Sequence, residues 1–181
     1  MADITIRRVV EADFDAIVAL NVADVSHTSA MDRARLGGLH EMASYHKVAT
    51  ADGIVAAFLL AMKHDCGYIN ENFEWFSARF RTFLYIDRIV VGECHRGLGV
   101  GSLLYEDLFD HARAIGIPIV TCEYNVVPPN EPSRKFHERF GFREAGRQWL
   151  GNDAKQVSMQ VAEVGRRIDV AGMRLTTESR F

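Results

Sequence analysis

No cysteine pair in this chain has the spacing of a zinc site or a redox motif. Its three cysteines, Cys66, Cys94 and Cys122, are scattered and odd in number. That argues against a disulfide framework and suits a reducing cytoplasm better than secretion. No Cys/His cluster is present either, so no metal is expected. No apolar run reaches the roughly 18 residues needed to span a bilayer, and no membrane partner is expected. The opening Met1-Ala2-Asp3-Ile4-Thr5-Ile6-Arg7 lacks the basic start and apolar stretch of a signal peptide. An excess of one charge is missing too. The 21 Lys and Arg face 24 Asp and Glu, for a net charge of −3, which removes the broad electrostatic reason to expect nucleic acid as a partner. Repeats, low-complexity tracts and linkers are absent. What remains is 181 residues, 48% of them hydrophobic and 25% charged: one globular domain able to bury roughly 70% of its unfolded surface without a staple.

Periodicity supplies the elements. Ile4-Thr5-Ile6 and Arg7-Arg8 predict a short alternating strand, and Asp13 is placed to cap a helix over 14–22 with Phe14, Ile17, Val18 and Val22 inward. Residues 31–44 predict a weaker helix, bent or broken at Gly37-Gly38. A hairpin over 48–62 turns at Asp52-Gly53. Residues 63–80 read as irregular and aromatic-rich, and 82–91 as a strong strand. A helix over 99–115 carries a stripe of Leu104, Leu108, Ala112 and Ile115. Residues 117–124 form a buried strand, which Val126-Val127-Pro128-Pro129 cannot continue because proline lacks the donor. A short helix over 132–140 stops at Gly141, and strands over 143–150 and 155–162 flank Gly151-Asn152-Asp153. The order β-α-α-β-β-β-α-β-α-β-β predicts a mixed sheet with helices on its faces. Residues 163–181 are polar and aperiodic, and are expected to pack on the domain or reach a partner subunit.

Arg96-Gly97-Leu98-Gly99-Val100-Gly101-Ser102 lies between the strong strand and the amphipathic helix. Glycines allow close backbone approach, and the free amides of a helix start favour an anion. The physical reading is a phosphate or pyrophosphate cradle, with a ligand-free connection as the plainer alternative. The spacing is not the GxGxxG of a dinucleotide fingerprint, and no lysine completes a Walker A loop.

Ile89-Val90-Val91-Gly92-Glu93-Cys94-His95-Arg96-Gly97-Leu98-Gly99-Val100-Gly101 resembles the acetyl-CoA signature of the GNAT acetyltransferases, a strand followed by Q/R-x-x-G-x-G/A. Arg96, Gly99 and Gly101 fill the signature positions. Asn130-Glu131-Pro132-Ser133-Arg134-Lys135-Phe136-His137-Glu138-Arg139-Phe140-Gly141-Phe142 is similar to the family's N-x-x-S/A-x-x-x-Y-E-x-x-G-F segment. The opening strand with Asp13 also resembles the family's start, so the likeness spans about residues 4–162. It implies an α/β (α+β) domain over 1–162, with a mostly antiparallel sheet of about six or seven strands, helices on both faces and one splayed strand pair. Ile89, Val90 and Val91 would pair with the pantetheine arm of acetyl-CoA. Gly97 and the amides of Leu98, Gly99, Val100, Gly101 and Ser102, beside Arg96, would hold the pyrophosphate. Asn130 and Ser133 would line the arm near the thioester. His137 stands where the family most often places a tyrosine that protonates the departing thiolate. Imidazole could serve as cation or as neutral donor. Tyr124 and Tyr105 are substitutes, and a packed helix residue is the plainer reading of His137.

The expected reaction is transfer of an acetyl group to the amine of a small molecule or peptide, by direct attack in a ternary complex, with the Val91 amide as oxyanion donor. The alternative is an idle acyl-CoA-binding or sensing domain. Direct attack needs a neutral amine, whereas free alkylamines titrate near about 10. Asp87, Glu71 and Glu74 are the candidate bases, in that order. Asp87 and Arg88 are charges inside a strand, and strict alternation would point them to opposite faces and prevent a mutual pair. Cys94 and Cys122 lack the partner spacing of an activated nucleophile. Tyr68, Asn70, Glu71, Phe73 and Trp75, with Asp87, are candidate acceptor-binding residues, because aromatic faces beside carboxylates suit an ammonium ion. The plainer reading is a short helix whose Phe73, Trp75 and Phe76 cover the core. The sequence leaves monomer and homodimer open, with the unassigned tail making a dimer reasonable.

Overall fold

A computed structural model describes residues 2–25, 28–151 and 153–165. Seven strands form one sheet in the order β1-β2-β3-β4-β5-β7-β6. They are β1 Ile4–Arg8, β2 Tyr45–Ala51, β3 Ile54–Lys63, β4 Leu84–Val91, β5 Ile119–Val127, β6 Arg143–Leu150 and β7 Lys155–Glu163. Five α-helices accompany them: α1 Phe14–Ala23, α2 Arg33–Met42, α3 Glu71–Ser77, α4 Val100–Ala114 and α5 Glu131–Arg139. Every strand pair is antiparallel except β4 with β5. The mixed, mostly antiparallel sheet is thus as expected. The tail expected over 163–181 lies outside the described residues beyond position 165.

Two apolar layers sandwich the sheet. Phe14, Ile17, Leu36, Leu39, Phe73 and Phe76 of α1–α3 pack on one face. Leu104, Tyr105, Leu108 and Ala112 of α4 pack on the other, with Phe142. The hairpin turns at Asp52 and Gly53 with φ of 51° and 82°, the paired left-handed conformation that matches strand twist.

Several local expectations are corrected. Asp13 stands at the N-cap of α1 as expected, but its side chain makes no capping bond there. It ends a 3-10 turn, accepts the Val10 amide and pairs with Arg7 at 2.7 Å. Gly37-Gly38 does not break α2, which runs on through both, held by Leu36 and Leu39 in the core. Val22 faces solvent, and Asn21 is buried in its place because its side chain serves Arg88. Ile115, the C-cap of α4, is partly exposed. Strand β5 continues through Val126 and Val127, since both keep their amides and the prolines fall just beyond its end. Residues 63–80 are not wholly irregular. The Asn70 side chain accepts from the Asn72 and Phe73 amides and starts α3.

Candidate active site

Strands β4 and β5 pair at two positions only, Leu84 with Val120 and Tyr85 with Thr121. Beyond Tyr85 they part, and the seam between them is open. On the other side of β4, Gly92 donates to the Ala56 carbonyl at 2.9 Å, and Val91 stands opposite Ala57. Antiparallel ladders alternate bonded and non-bonded pairs. Val91 and, two residues earlier, Ile89 therefore turn their amides and carbonyls into the seam. Val90 spends its backbone groups on Phe58 of β3. Of the three residues expected to bind an extended ligand arm through their backbone, two are free to do so.

The turn after β4 leads into α4. Gly99 is its N-cap, with φ 79°, and no heavy atom lies within 4 Å of where a Cβ would stand. The left-handed conformation favours glycine, and the open space in front of it admits a ligand close to the main chain. The amides of Val100, Gly101 and Ser102 begin a 15-residue helix and have no intrahelical acceptor. Arg96 is exposed, reaching the Val91 carbonyl at 3.4 Å and Asp24 at 3.3 Å. Open backbone at the seam, free helix-start amides and a cation beside them fit a long, partly extended ligand that carries phosphates.

Helix α5 supplies the next group. Asn130 caps it by accepting the Ser133 amide. His137 is 4% exposed, its Nδ1 2.7 Å from the Ser133 carbonyl and its Nε2 2.8 Å from the Tyr105 hydroxyl. A carbonyl can only accept, so Nδ1 carries the proton and Nε2 accepts from Tyr105. Burial pushes His137 down to about 4. At neutral pH it holds no second proton, and its single N–H is spent on the helix. The expectation of an imidazolium donor does not survive this arrangement. Tyr105 is wholly buried, whereas Tyr124 is partly open with its ring centroid 5.9 Å from His137.

On the opposite face lies a polar cluster. Asp87 has no partner on β3, because Leu60 faces Arg88 and Ala61 faces Ile86. It is the extra residue of a bulge, and bulges re-aim side chains. The expected opposition of Asp87 and Arg88 is thereby overturned. Arg88 Nε donates to Asp87 Oδ2 at 2.7 Å, with both side chains at least 96% buried. Arg88 also grips Asn21 Oδ1 at 2.9 Å, and the Ser29 carbonyl and hydroxyl at 3.2 and 3.0 Å. The second Asp87 oxygen accepts from Tyr68 at 2.5 Å, and burial, then the Asp87 carboxylate, push the Tyr68 phenol up.

Glu123 of β5, the sole charge in the run 117–124, belongs to the same cluster and was not among the expected site residues. Its Oε1 accepts from Asn72 at 2.8 Å and from Tyr85 at 3.0 Å, and its buried Oε2 has no partner. Burial and the Asp87 charge push Glu123 up to about 7. A charge inside an apolar strand was the signal that could have found it.

The aromatic-rich stretch divides in two. Phe73 is core, packed on Phe83 and Tyr85, so its expected contact with a substrate is lost to the sheet. Asn70 is spent on its cap. Glu71, Glu74 and Trp75 instead line an open groove of about 550 Å³ with Gln148, Trp149 and Asp153. Trp75 packs against β6, where any side chain at Gly146 would meet its ring at 2.7 Å. Gln148 connects groove to cluster, donating to Asn72 at 3.1 Å.

The model of the acetyltransferase (GNAT) family matches residues 15–142. Among curated proteins, a phosphinothricin N-acetyltransferase of Streptomyces coelicolor is 44% identical over 50 residues, which is 28% of this chain and 28% of that protein. Among solved structures, Ard1 of Thermoplasma volcanium superposes with a TM-score of 0.75 at 21% identity, covering 90% of this chain and 99% of its own. The yncA structure of Salmonella typhimurium, determined with its cofactor acetyl-CoA, has a TM-score of 0.70 at 19% identity, covering 96% and 99%. At these identities the superpositions establish the fold. No described helix is long and apolar enough to cross a membrane.

Proposed function

The chain belongs to the GNAT family of acetyltransferases, and from that membership we propose that it moves the acetyl group of acetyl-CoA onto the amine of a small molecule or peptide. The observation that carries this reading is the open seam between β4 and β5, which runs into a glycine-capped helix start. Ile89 and Val91 would take the place of a missing strand for the pantetheine arm. Arg96 and the amides from Leu98 to Ser102 would hold the pyrophosphate. The Val91 amide points where it could donate to the thioester carbonyl as charge builds on its oxygen. Acetyl-CoA supplies the activated acyl group. The chain's own task is to align it, exclude water and manage two protons.

One proton goes to the departing thiolate. A thiol titrating near about 8.5 needs no strong acid, and Tyr124, a partly open hydroxyl beside the neutral His137 and hydrogen-bonded with Ser158, would supply the proton. His137 and Tyr105 then hold the local geometry. The acceptor approaches from the other face, where the groove offers Glu71, Glu74 and Asp153 beside two indoles, a lining that attracts an ammonium group.

The test is release of free thiol from acetyl-CoA in the presence of a panel of amines, from diamines and amino acids to short peptides. Turnover with at least one amine is expected. Tight CoA binding with no acetylated product from any of them would favour an idle binding or sensing domain instead.

A further inference from the structure

We propose that Glu123, rather than Asp87, takes the proton from the acceptor's ammonium group. The inference rests on the acetyl-transfer reading above and concerns a residue that the glycine turn and the α5 segment do not touch.

Position comes first. The last residue of β5 paired with β4 is Thr121, so Glu123 stands just past the point where the seam opens. Cys122 packs into the layer under α4, while Glu123 bonds Asn72 of α3. The glycine turn thus approaches the seam from one face, and Glu123 meets it from the other. A thioester threaded through the seam would lie between them.

Hydrogen bonding comes second. Both oxygens of Asp87 are committed, one to Arg88 and one to Tyr68. Glu123 differs. Tyr85 and Asn72, two neutral donors, fix Oε1 and leave Oε2 buried without any partner. A buried acceptor that is held in place yet unsatisfied is ready for an incoming N–H. Gln148 braces Asn72 from the groove side, so the acidic groove and this carboxyl share one hydrogen-bonded frame.

The charged neighbours are Asp87 with its partner Arg88 on β4, and Lys155 on β7. Asp87 raises Glu123, and Lys155, Tyr85 and Asn72 lower it, with burial the largest influence upward. A midpoint of about 7 suits a general base at neutral pH.

The chemistry balances. Glu123 Oε2 takes one proton from R–NH3+, leaving a neutral amine whose lone pair attacks the thioester carbon. The C–N bond forms, the C–S bond breaks, and the sulfur keeps its electron pair. The amide nitrogen sheds its second proton, which ends on the thiolate by way of Tyr124 or water. Glu123 then releases its own proton to solvent, so one proton leaves per turnover.

The experiment uses the full chain and an acceptor found in the thiol-release screen. In Glu123→Gln, kcat/KM at pH 7.5 should fall by about 10²–10⁴-fold while CoA affinity stays within about twofold. The wild-type profile should rise through about pH 7, and the variant should lack that limb. A reading independent of turnover is the carboxyl titration of the free protein, followed by 13C NMR of labelled glutamate. One resonance should titrate near 7 and vanish in Glu123→Gln. Should that variant fail to fold, Tyr85→Phe decides the matter, because losing a donor to Oε1 must move the limb to higher pH. Near-full kcat/KM in Glu123→Gln, or an unmoved limb in Tyr85→Phe, overturns the proposal. Wild-type protein that acetylates no amine would instead overturn the reading beneath it.

Discussion

The two faces of the seam are made of different materials. On the α4 and α5 side the candidate site is mostly main chain: the turned-out groups of Ile89 and Val91 and the first amides of a helix, with Arg96 and Tyr124 as its side chains. On the α1–α3 side it is side chain: Asp87, Arg88, Tyr68, Tyr85, Asn72 and Glu123 in one buried network. Main-chain donors come from secondary structure and serve any ligand of the right shape and charge. Side-chain networks need a specific residue at every corner, and they set which protons move. On the proposed reading, cofactor binding and deprotonation of the acceptor belong to opposite faces.

The largest expected effect tests whether the network side acts as a unit. Asp87→Asn leaves the buried Arg88 cation with neutral partners only. Unpairing a buried ion pair typically costs about 3–5 kcal/mol, which urea unfolding would read directly. Asp87 also pushes Glu123 upward. Removing its charge should therefore move the rising limb of kcat/KM to lower pH, so the variant keeps more of its activity at acid pH than the wild type does. A drop of about 10²–10⁴-fold in kcat with the limb unmoved would return the base role to Asp87 and dissolve the division of labour on that face.

The same division explains what the sequence showed. Glycine spacing, the apolar stripe of α4 and the turn at Asp52-Gly53 are local signals with local causes. They located the hairpin, the glycine-capped start of α4 and nearly every strand. The network was far less legible because its geometry is set by events distant in the chain. One extra residue in β4, unmatched on β3, brings Asp87 and Arg88 to the same side. No alternation rule applied to 84–91 alone could reveal that. Asn21 is buried where it bonds Arg88 of β4, Thr28 and the Ser29 carbonyl. His137 sits at the position the resemblance singled out, and of the readings left open for it the packing removes the imidazolium. Only packing shows that its Nδ1–H is committed to Ser133 and that burial keeps it neutral.

On the main-chain face the corresponding change is smaller. Gly99→Val forces a branched side chain into φ 79°, at a cost of roughly 1–2 kcal/mol. If the turn holds the pyrophosphate, CoA should bind about tenfold more weakly by calorimetry, since 1.4 kcal/mol is a factor of ten. The 13C titration of Glu123 should not move, because the seam separates the two. CoA binding at wild-type strength would mean that the cradle lies elsewhere.

The smallest effect sharpens the boundary of the network side. Glu74 is exposed on α3 and lines the groove with Glu71 and Asp153, but it makes no contact with Glu123 or Asp87. Solvent and salt screen such a charge, so its contribution to holding a cation is small. Glu74→Gln should raise KM for the acceptor about two- to fivefold at low ionic strength and leave kcat and the pH limb unchanged. Adding salt should shrink the difference, as screening demands. A change in kcat would mean that the groove carboxylates join in proton transfer and do more than attract the acceptor. No change in KM for any amine would place the acceptor away from the groove. Glu123 would then receive its ammonium group through the seam mouth alone, with Gln148 and Asn72 serving only to hold the carboxyl still.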